Sequence, residues 1–270
     1  MTRERARPSD IVLDMLHSAR GRQRSAVSLI DAGALFGFNE NTIRVTLSRL
    51  LARGILESPA RGVYRLSRQT DALNDFVERW RLGEARVRPW QRGRWLFAHP
   101  LGATAVNQWV LDALGFREVR TGLLARPDNL ALSLRELRAL AAGLGLEPSV
   151  LLVAGEPEGE AVPAGWVKAW HPNQLNDDYL QAMQRLEASA ARLPSLPADE
   201  ARLECFTLGG EVVHRLAKDP LLPAELVDTA ARESLWRAML SYDVQGKEIW
   251  AEGRQPRLQH MPRPQLNLAS

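Results

Sequence analysis

The stretch Ser28-Leu-Ile-Asp-Ala-Gly-Ala-Leu-Phe-Gly37-Phe-Asn-Glu-Asn-Thr-Ile-Arg-Val-Thr-Leu-Ser-Arg-Leu-Leu-Ala-Arg53 decides how this chain folds. Its spacing predicts a helix, a glycine turn and a second helix. In the second helix Ile43, Leu47, Leu50 and Leu51 recur at i, i+4, i+7 and i+8, on one side of a 3.6-residue repeat, with Ile55 just past the end. Asn41, Val45, Ser48, Arg49 and Ala52 fall on the far side, flanked by Thr42 and Arg44. Asn39 is suited to the N-cap, since its short side chain accepts from an unpaired first-turn amide. Gly54 supplies the stop. The preceding helix, over 27–36, offers Leu29, Ile30, Ala34 and Leu35 to the shared core, and Gly37 turns the chain between the two.

Working outward, residues 9–19 read as a first helix with Ile11, Val12, Met15 and Leu16 inward. Past Gly54, Ile55-Leu-Glu57 and Val63-Tyr-Arg-Leu66 read as short strands joined by Ser58-Pro-Ala-Arg-Gly62. A hairpin placed after such a helix pair is a wing, with Arg61 at its tip. The whole is a winged helix-turn-helix, which presents the polar face of its second helix to a DNA major groove. The bland alternative is a helical hairpin with a solvated charged face. Two observations favour the first reading. That face holds small polar and cationic residues with none of the Glu/Lys pairing of a solvated helix. Charge is also segregated. Residues 1–95 hold 18 arginines and no lysine against 10 acidic residues, a net of +8. The remainder holds 17 basic against 22 acidic residues, a net of −5. A basic end on an acidic remainder implies a polyanionic partner for that end. Asn41, Thr42, Arg44, Val45, Ser48, Arg49 and Arg61 are the candidate DNA-contacting residues.

The string Leu-Ile-x-x-Gly-Ala-Leu-Phe-Gly-x-x-Glu-Asn-x-x-Arg-Val-x-Leu-Ser-Arg-Leu-x-x-Arg-Gly, from Leu29 to Gly54, resembles the N-terminal module of the PaaX-like regulators, the phenylacetate-degradation repressor family. Gly93-Arg-Trp95, Leu114-Gly-Phe-Arg117, Gly122-Leu-Leu-Ala-Arg-Pro-x-Asn-Leu130, and Trp170 with Leu175 and Tyr179 extend the resemblance, and Asp219-Pro-Leu-Leu-Pro223 continues it more loosely. The resemblance implies a repressor, a double-stranded DNA operator, and release by an aryl-CoA thioester such as phenylacetyl-CoA. Arg88, Arg92, Arg94, Trp95, Arg126, Trp170 and His171 are the candidate effector residues, the arginines as partners for CoA phosphates. For each arginine a solvated or DNA-facing role is the favoured alternative. The central domain of that family is similar to CRISPR-adaptation nucleases, which hold a metal on an Asp near the end of the first strand. Here that strand ends His99-Pro100, which disfavours a metal-dependent nuclease and leaves a structural or dimerising role.

The rest of the chain fixes the organisation. A length of 270 residues suggests two or three domains, and a hydrophobic fraction of 45% is enough for real cores. We expect an α+β multidomain chain: the winged helix over 1–67, a connecting helix over 68–89, a small ferredoxin-like α+β domain over 90–156 and a mainly helical domain over 164–270. The connecting helix carries Leu73, Phe76, Val77 and Trp80 on one face. The central domain reads as strand 94–99, helix 104–114 with Val106, Trp109, Val110 and Ala113 in register, strand 118–125, helix 134–144 capped by Ser133, and a buried strand 150–153. Residues 156–163 form a linker by composition. Further helices are expected over 173–193, 201–216 and 224–242, and a polar tail over 254–270.

Enzyme signatures are missing: no Gly-x-Gly-x-x-Gly, P-loop, His-Glu-x-x-His or Gly-x-Ser-x-Gly occurs. His17, His99, His171, His214 and His260 are scattered without metal-ligand spacing. The single cysteine, Cys205, rules out an internal disulfide and suits a reducing cytoplasm. No apolar run nears ~18 residues, so no membrane span is expected, and the Arg-rich start lacks the apolar stretch of a signal peptide. The expectation is a cytoplasmic, homodimeric, non-enzymatic regulator without a cofactor. The rival classes are an enzyme acting on CoA thioesters, a nuclease built on the central domain, and an interaction scaffold without DNA affinity.

Overall fold

The computed structural model describes residues 7–17, 23–99, 104–157, 159–163 and 165–252. Helix α1 (Pro8–His17), strand β1 (Gln23–Ser25), helix α2 (Ala26–Leu35), helix α3 (Glu40–Ala52) and the hairpin β2 (Leu56–Ala60) and β3 (Val63–Leu66) form the first unit. Asn39 Oδ1 accepts from the Thr42 amide at 2.8 Å, and Gly54 ends α3 in the left-handed region at φ 68°. Ile11, Val12, Met15, Leu16, Leu29, Ile43, Leu47 and Leu50 make a core sealed from water. The inward face of α2 differs from the expected one: Ala34 is exposed, whereas Ala32 and Gly33 are buried. Gly33 sets this rotation, because a Cβ there would lie 2.5 Å from Ile43 Cδ1, so only glycine lets the two helices close. Sequence reading also missed β1, which pairs antiparallel with β3 and widens the hairpin into a three-stranded sheet of order β1-β3-β2.

The expected connecting helix is broken. Helix α4 (Arg68–Glu78) gives way to a tighter 3-10 segment, Arg79–Arg86, that turns at Gly83 (φ 50°). A Cβ on Gly83 would lie 2.3 Å from the Trp236 ring, so the chain bends where an indole presses on bare backbone. Trp80 and Phe76 face inward as expected, but Leu73 is exposed.

The central unit runs β4 (Trp95–His99), α5 (Ala105–Ala113), β5 (Arg117–Arg120), β6 (Leu123–Pro127), α6 (Leu134–Gly143) and β7 (Leu151–Gly155). Its four strands pair antiparallel in the order β5-β6-β4-β7. The single strand expected over 118–125 is a hairpin that turns at Gly122 (φ 75°). Strand β7 is an edge strand with Leu151 and Val153 exposed, not a buried one. Helix α5 buries Asn107, Val110, Leu111 and Ala113, while Val106 and Trp109 lie outside, Trp109 beneath the Lys218 ammonium at 5.8 Å. Helix α6 opens on a full capping box in which Ser133 and Glu136 exchange backbone bonds, and these hold the Glu136 carboxyl below its ordinary value.

Helices α7 (Pro172–Arg192), α8 (Ala198–Ala217) and α9 (Ala230–Glu252) build the last unit around Tyr179, Leu186, Leu208, Val212, Leu235 and Met239. Helix α9 starts later than its periodicity suggested, because residues 223–227 turn and the Asp228 carboxylate then caps the Ala230 amide at 2.9 Å. Three buried arginines tie these helices to the rest. Arg86 donates to the Leu216 carbonyl at 2.8 Å, and Arg232 to that of Leu222 at 2.8 Å and to Glu84. Arg126 donates to the carbonyls of Leu114, Pro127 and Pro220 and to Asn129 Oδ1. Asn129 completes the seam by donating to the Leu221 carbonyl at 2.7 Å. Leu221 itself sits at φ 53°, a conformation a branched side chain keeps only when its surroundings enforce it. The first unit is joined to α8 and α9 through aromatic rings: Phe36 meets Phe206 edge-on at 5.1 Å, and Phe206 lies 6.4 Å from Trp250. His260 and the expected tail over 254–270 lie outside the described residues.

Candidate nucleic-acid interface

Helix α3 buries Ile43, Leu47 and Leu50 and thereby turns Asn41, Arg44, Val45, Ser48 and Arg49 outward. All five are exposed, and Thr42 is half-buried at the edge of the same face. The outward face forms one wall of an open groove of about 440 Å³, whose other wall is Pro8 and Ser9 at the start of α1. Asn41, Thr42, Val45, Thr46, Arg49 and Arg53 line the α3 side. Arg53 was not singled out from sequence, although its i+4 spacing from Arg49 was the available signal. Arg61 is exposed between β2 and β3, where Gly62 (φ 74°) makes the tight turn. Its hairpin neighbour Arg65 is tied across the strands to Glu57 at 2.7 Å.

One expectation about this face fails. An ion pair stands at its flank: Glu40 and Arg44, four residues apart, meet at 2.6 Å with both side chains more than half exposed. The acidic partner escaped notice because it occupies the first turn, where carboxylates are common for reasons of capping and dipole alone.

The candidate effector residues separate into three places. Arg88 and Arg94 converge on Asp128, at 2.7 and 3.2 Å, with both guanidiniums nearly half exposed, and Arg92 is exposed nearby. Trp95 and Trp170 are brought together, but as packing. Trp95 is wholly buried, stacked 6.1 Å from Trp170 and edge-on to Trp90 and Trp166. Their indole N–H groups donate inward, from Trp95 to the Ala161 carbonyl and from Trp170 to that of Gly115, both at 2.9 Å. These two rings therefore offer a ligand neither an open face nor a free donor. Arg126 is neither solvated nor available to a phosphate. It is 1% exposed, and burial lowers its guanidinium to about 9 despite Asp128 and Asp219 nearby. The cavity beside it, about 30 Å³ and lined by Arg86, Arg126, Asp219 and Leu221 among others, has room for one water. His171 is exposed in the left-handed region (φ 48°) where α7 begins. Among the described residues no cluster of three or more His, Cys, Asp or Glu side chains is placed to hold a metal ion. No helix among them is long and apolar enough to cross a membrane.

Comparison with known proteins agrees with the sequence resemblance. Residues 11–70 match the family model described as PaaX-like protein. Among solved structures, the uncharacterized protein Rv0674 from Mycobacterium tuberculosis superposes with a TM-score of 0.59 at 26% identity, over 90% of this chain and 96% of that one. No curated protein matches the chain.

Proposed function

We propose that this chain, whose residues 11–70 carry the PaaX-like module, is a transcriptional regulator that seats α3 in the DNA major groove. In this reading the first unit is a winged helix with β2–β3 as its wing, and the β-α-β-β-α-β unit is ferredoxin-like. The domain limits are those drawn from sequence: 1–67, 68–89, 90–156 and 164–270. Asn41, Arg44, Ser48 and Arg49 face base edges, Val45 meets a thymine methyl, and Arg61 and Arg53 hold phosphates. The observation that carries the reading is the outward face of α3, exposed along its length and bordered by a groove that no other element among the described residues fills. A homodimer would present two such helices to half-sites about one helical turn apart. Repression ends when an effector binds the conformation in which that spacing is wrong. An aryl-CoA thioester is the effector class the family resemblance suggests. The Arg88–Asp128–Arg94 cluster with Arg92 is the exposed cationic surface for its phosphates.

The test is fluorescence anisotropy with the purified full-length protein on duplexes from upstream of its own gene and on unrelated duplexes, at several salt concentrations. A preferred duplex should bind about 10³-fold or more tightly than unrelated ones. Phenylacetyl-CoA should lower that affinity, and free CoA should not. Absence of salt-dependent binding to every duplex overturns the regulator reading. Thioester turnover, or divalent-ion-dependent cleavage of labelled DNA or RNA, would instead favour the enzyme classes.

A further inference from the structure

The Glu40–Arg44 pair stands at the flank of the proposed base-reading face, which has no electrostatic use for a carboxylate. Glu40 is the one carboxylate of α3, whose other charged side chains, Arg44 and Arg49, are cationic, and a negative charge near a polyanion weakens binding to every duplex alike. The pair is open to solvent, with side chains 57% and 59% exposed, so its contribution to folding is small. Its geometry is more informative than its energy. Arg44 Nε donates to one carboxylate oxygen of Glu40, Oε1, at 2.7 Å, and Nη2 lies 2.6 Å from the same oxygen. The outer edge of the guanidinium, with both Nη1 protons and the second Nη2 proton, is left pointing away as a fork. The second carboxylate oxygen, Oε2, accepts nothing from the described residues. The supporting backbone is fixed. Asn39 Oδ1 accepts from both the amide and the hydroxyl of Thr42, at 2.8 and 2.9 Å, and the Ser48 hydroxyl donates to the Arg44 carbonyl at 3.1 Å. Glu40 and Arg44 thus lie on the opening turns of the helix, the end that approaches base edges first.

We propose that Glu40 and Arg44 act as one composite reader of a C·G step: the outer fork of Arg44 donates to guanine O6 and N7 while Glu40 Oε2 accepts from the N4 amino group of an adjacent or paired cytosine. The inference rests on the regulator reading above and assigns the base specificity of that same site. Guanine is the base whose major-groove edge offers two acceptors, and cytosine N4 is the donor that a carboxylate recognises. Holding Nε removes the side-on approach and leaves the end-on one. The carboxylate therefore lowers general affinity for DNA and returns it at one base step only.

The experiment selects preferred duplexes from a randomised pool with the full-length protein, then compares wild type, Glu40→Gln and Arg44→Lys on the selected site and on single-base-pair replacements. Wild type should require a C·G step at one position per half-site. Glu40→Gln should bind random duplexes as tightly as wild type or more tightly, while its discrimination at that position falls about tenfold. Arg44→Lys should keep its affinity for random DNA and lose the preference for guanine. If Glu40→Gln gains affinity uniformly and keeps every base preference, the pair is only a solvated helix contact and the proposal falls. If wild type binds no duplex, the regulator reading fails with it; if wild type selects sites without a C·G step, only the composite reader is overturned. Unchanged thermal midpoints for both variants show that the readouts concern recognition and not folding.

Discussion

Arg49 and Arg61 are both exposed arginines, yet they separate by the surface that carries them. Arg49 rises from the last turn of a helix whose opposite side is locked into a core, so its guanidinium has a fixed origin. Arg61 sits on a turn between two short strands, where the chain supplies charge but little aim. Arg49→Ala should cost about 1–3 kcal/mol of affinity for the preferred duplex and relax its sequence preference. Arg61→Ala should weaken binding to all duplexes alike and reduce the salt dependence by about one ion, as measured by titration across salt concentrations. Arg126 shows where reading residue by residue stops. In sequence it is one more arginine among many. In the fold it is sealed in, and its partners Leu114 and Pro220 are 12 and 94 residues away along the chain. Nothing local announces such partners, since a buried guanidinium becomes affordable only when distant carbonyls converge on it.

Among the elements, α3 was legible to the residue because its limits are written locally. Asn39 supplies an acceptor where the helix needs one, and Gly54 accepts a backbone conformation that other residues resist. Asn39→Ala removes that acceptor and should destabilise the protein by about 1 kcal/mol, read from the urea midpoint, with a larger proportional loss of operator affinity because Glu40 and Arg44 stand on the same turn. Strand β1 was illegible for the converse reason. Gln23-Arg-Ser25 has no apolar alternation, and it becomes a strand only because β3, some forty residues later, lies alongside with open hydrogen-bonding groups. Helix α5 was placed correctly but its inward face was misjudged. Counting Trp109 and Val106 as core ignored that an indole also serves as a platform for a cation, as it does beneath Lys218. The break after α4 follows from Trp236, a residue of α9 that no reading of residues 68–86 contains.

At the scale of the molecule, the buried arginines and the aromatic contacts are two different kinds of joint. Arg86, Arg126 and Arg232 fasten the segment 216–222 with directional bonds, so the central unit and the last helices hold a defined relation. The first unit leans on α8 and α9 through the Phe36, Phe206 and Trp250 rings, a contact without directional bonds between those rings. Phe206→Ala should therefore act on the relation between parts. We expect a loss of about 2 kcal/mol and a calorimetric trace that separates into two transitions, with the first unit melting apart from the rest. A single transition at the wild-type midpoint would show that the aromatic contact does not couple the units.

That same contact bears on anyone wishing to isolate the N-terminal piece. Phe206 and Trp250 complete its apolar interior from outside, so a fragment severed after β3 would expose a greasy scar beside Phe36. Such a fragment would tend to self-associate in solution, and its behaviour on DNA would report the wound as much as the outward face of α3.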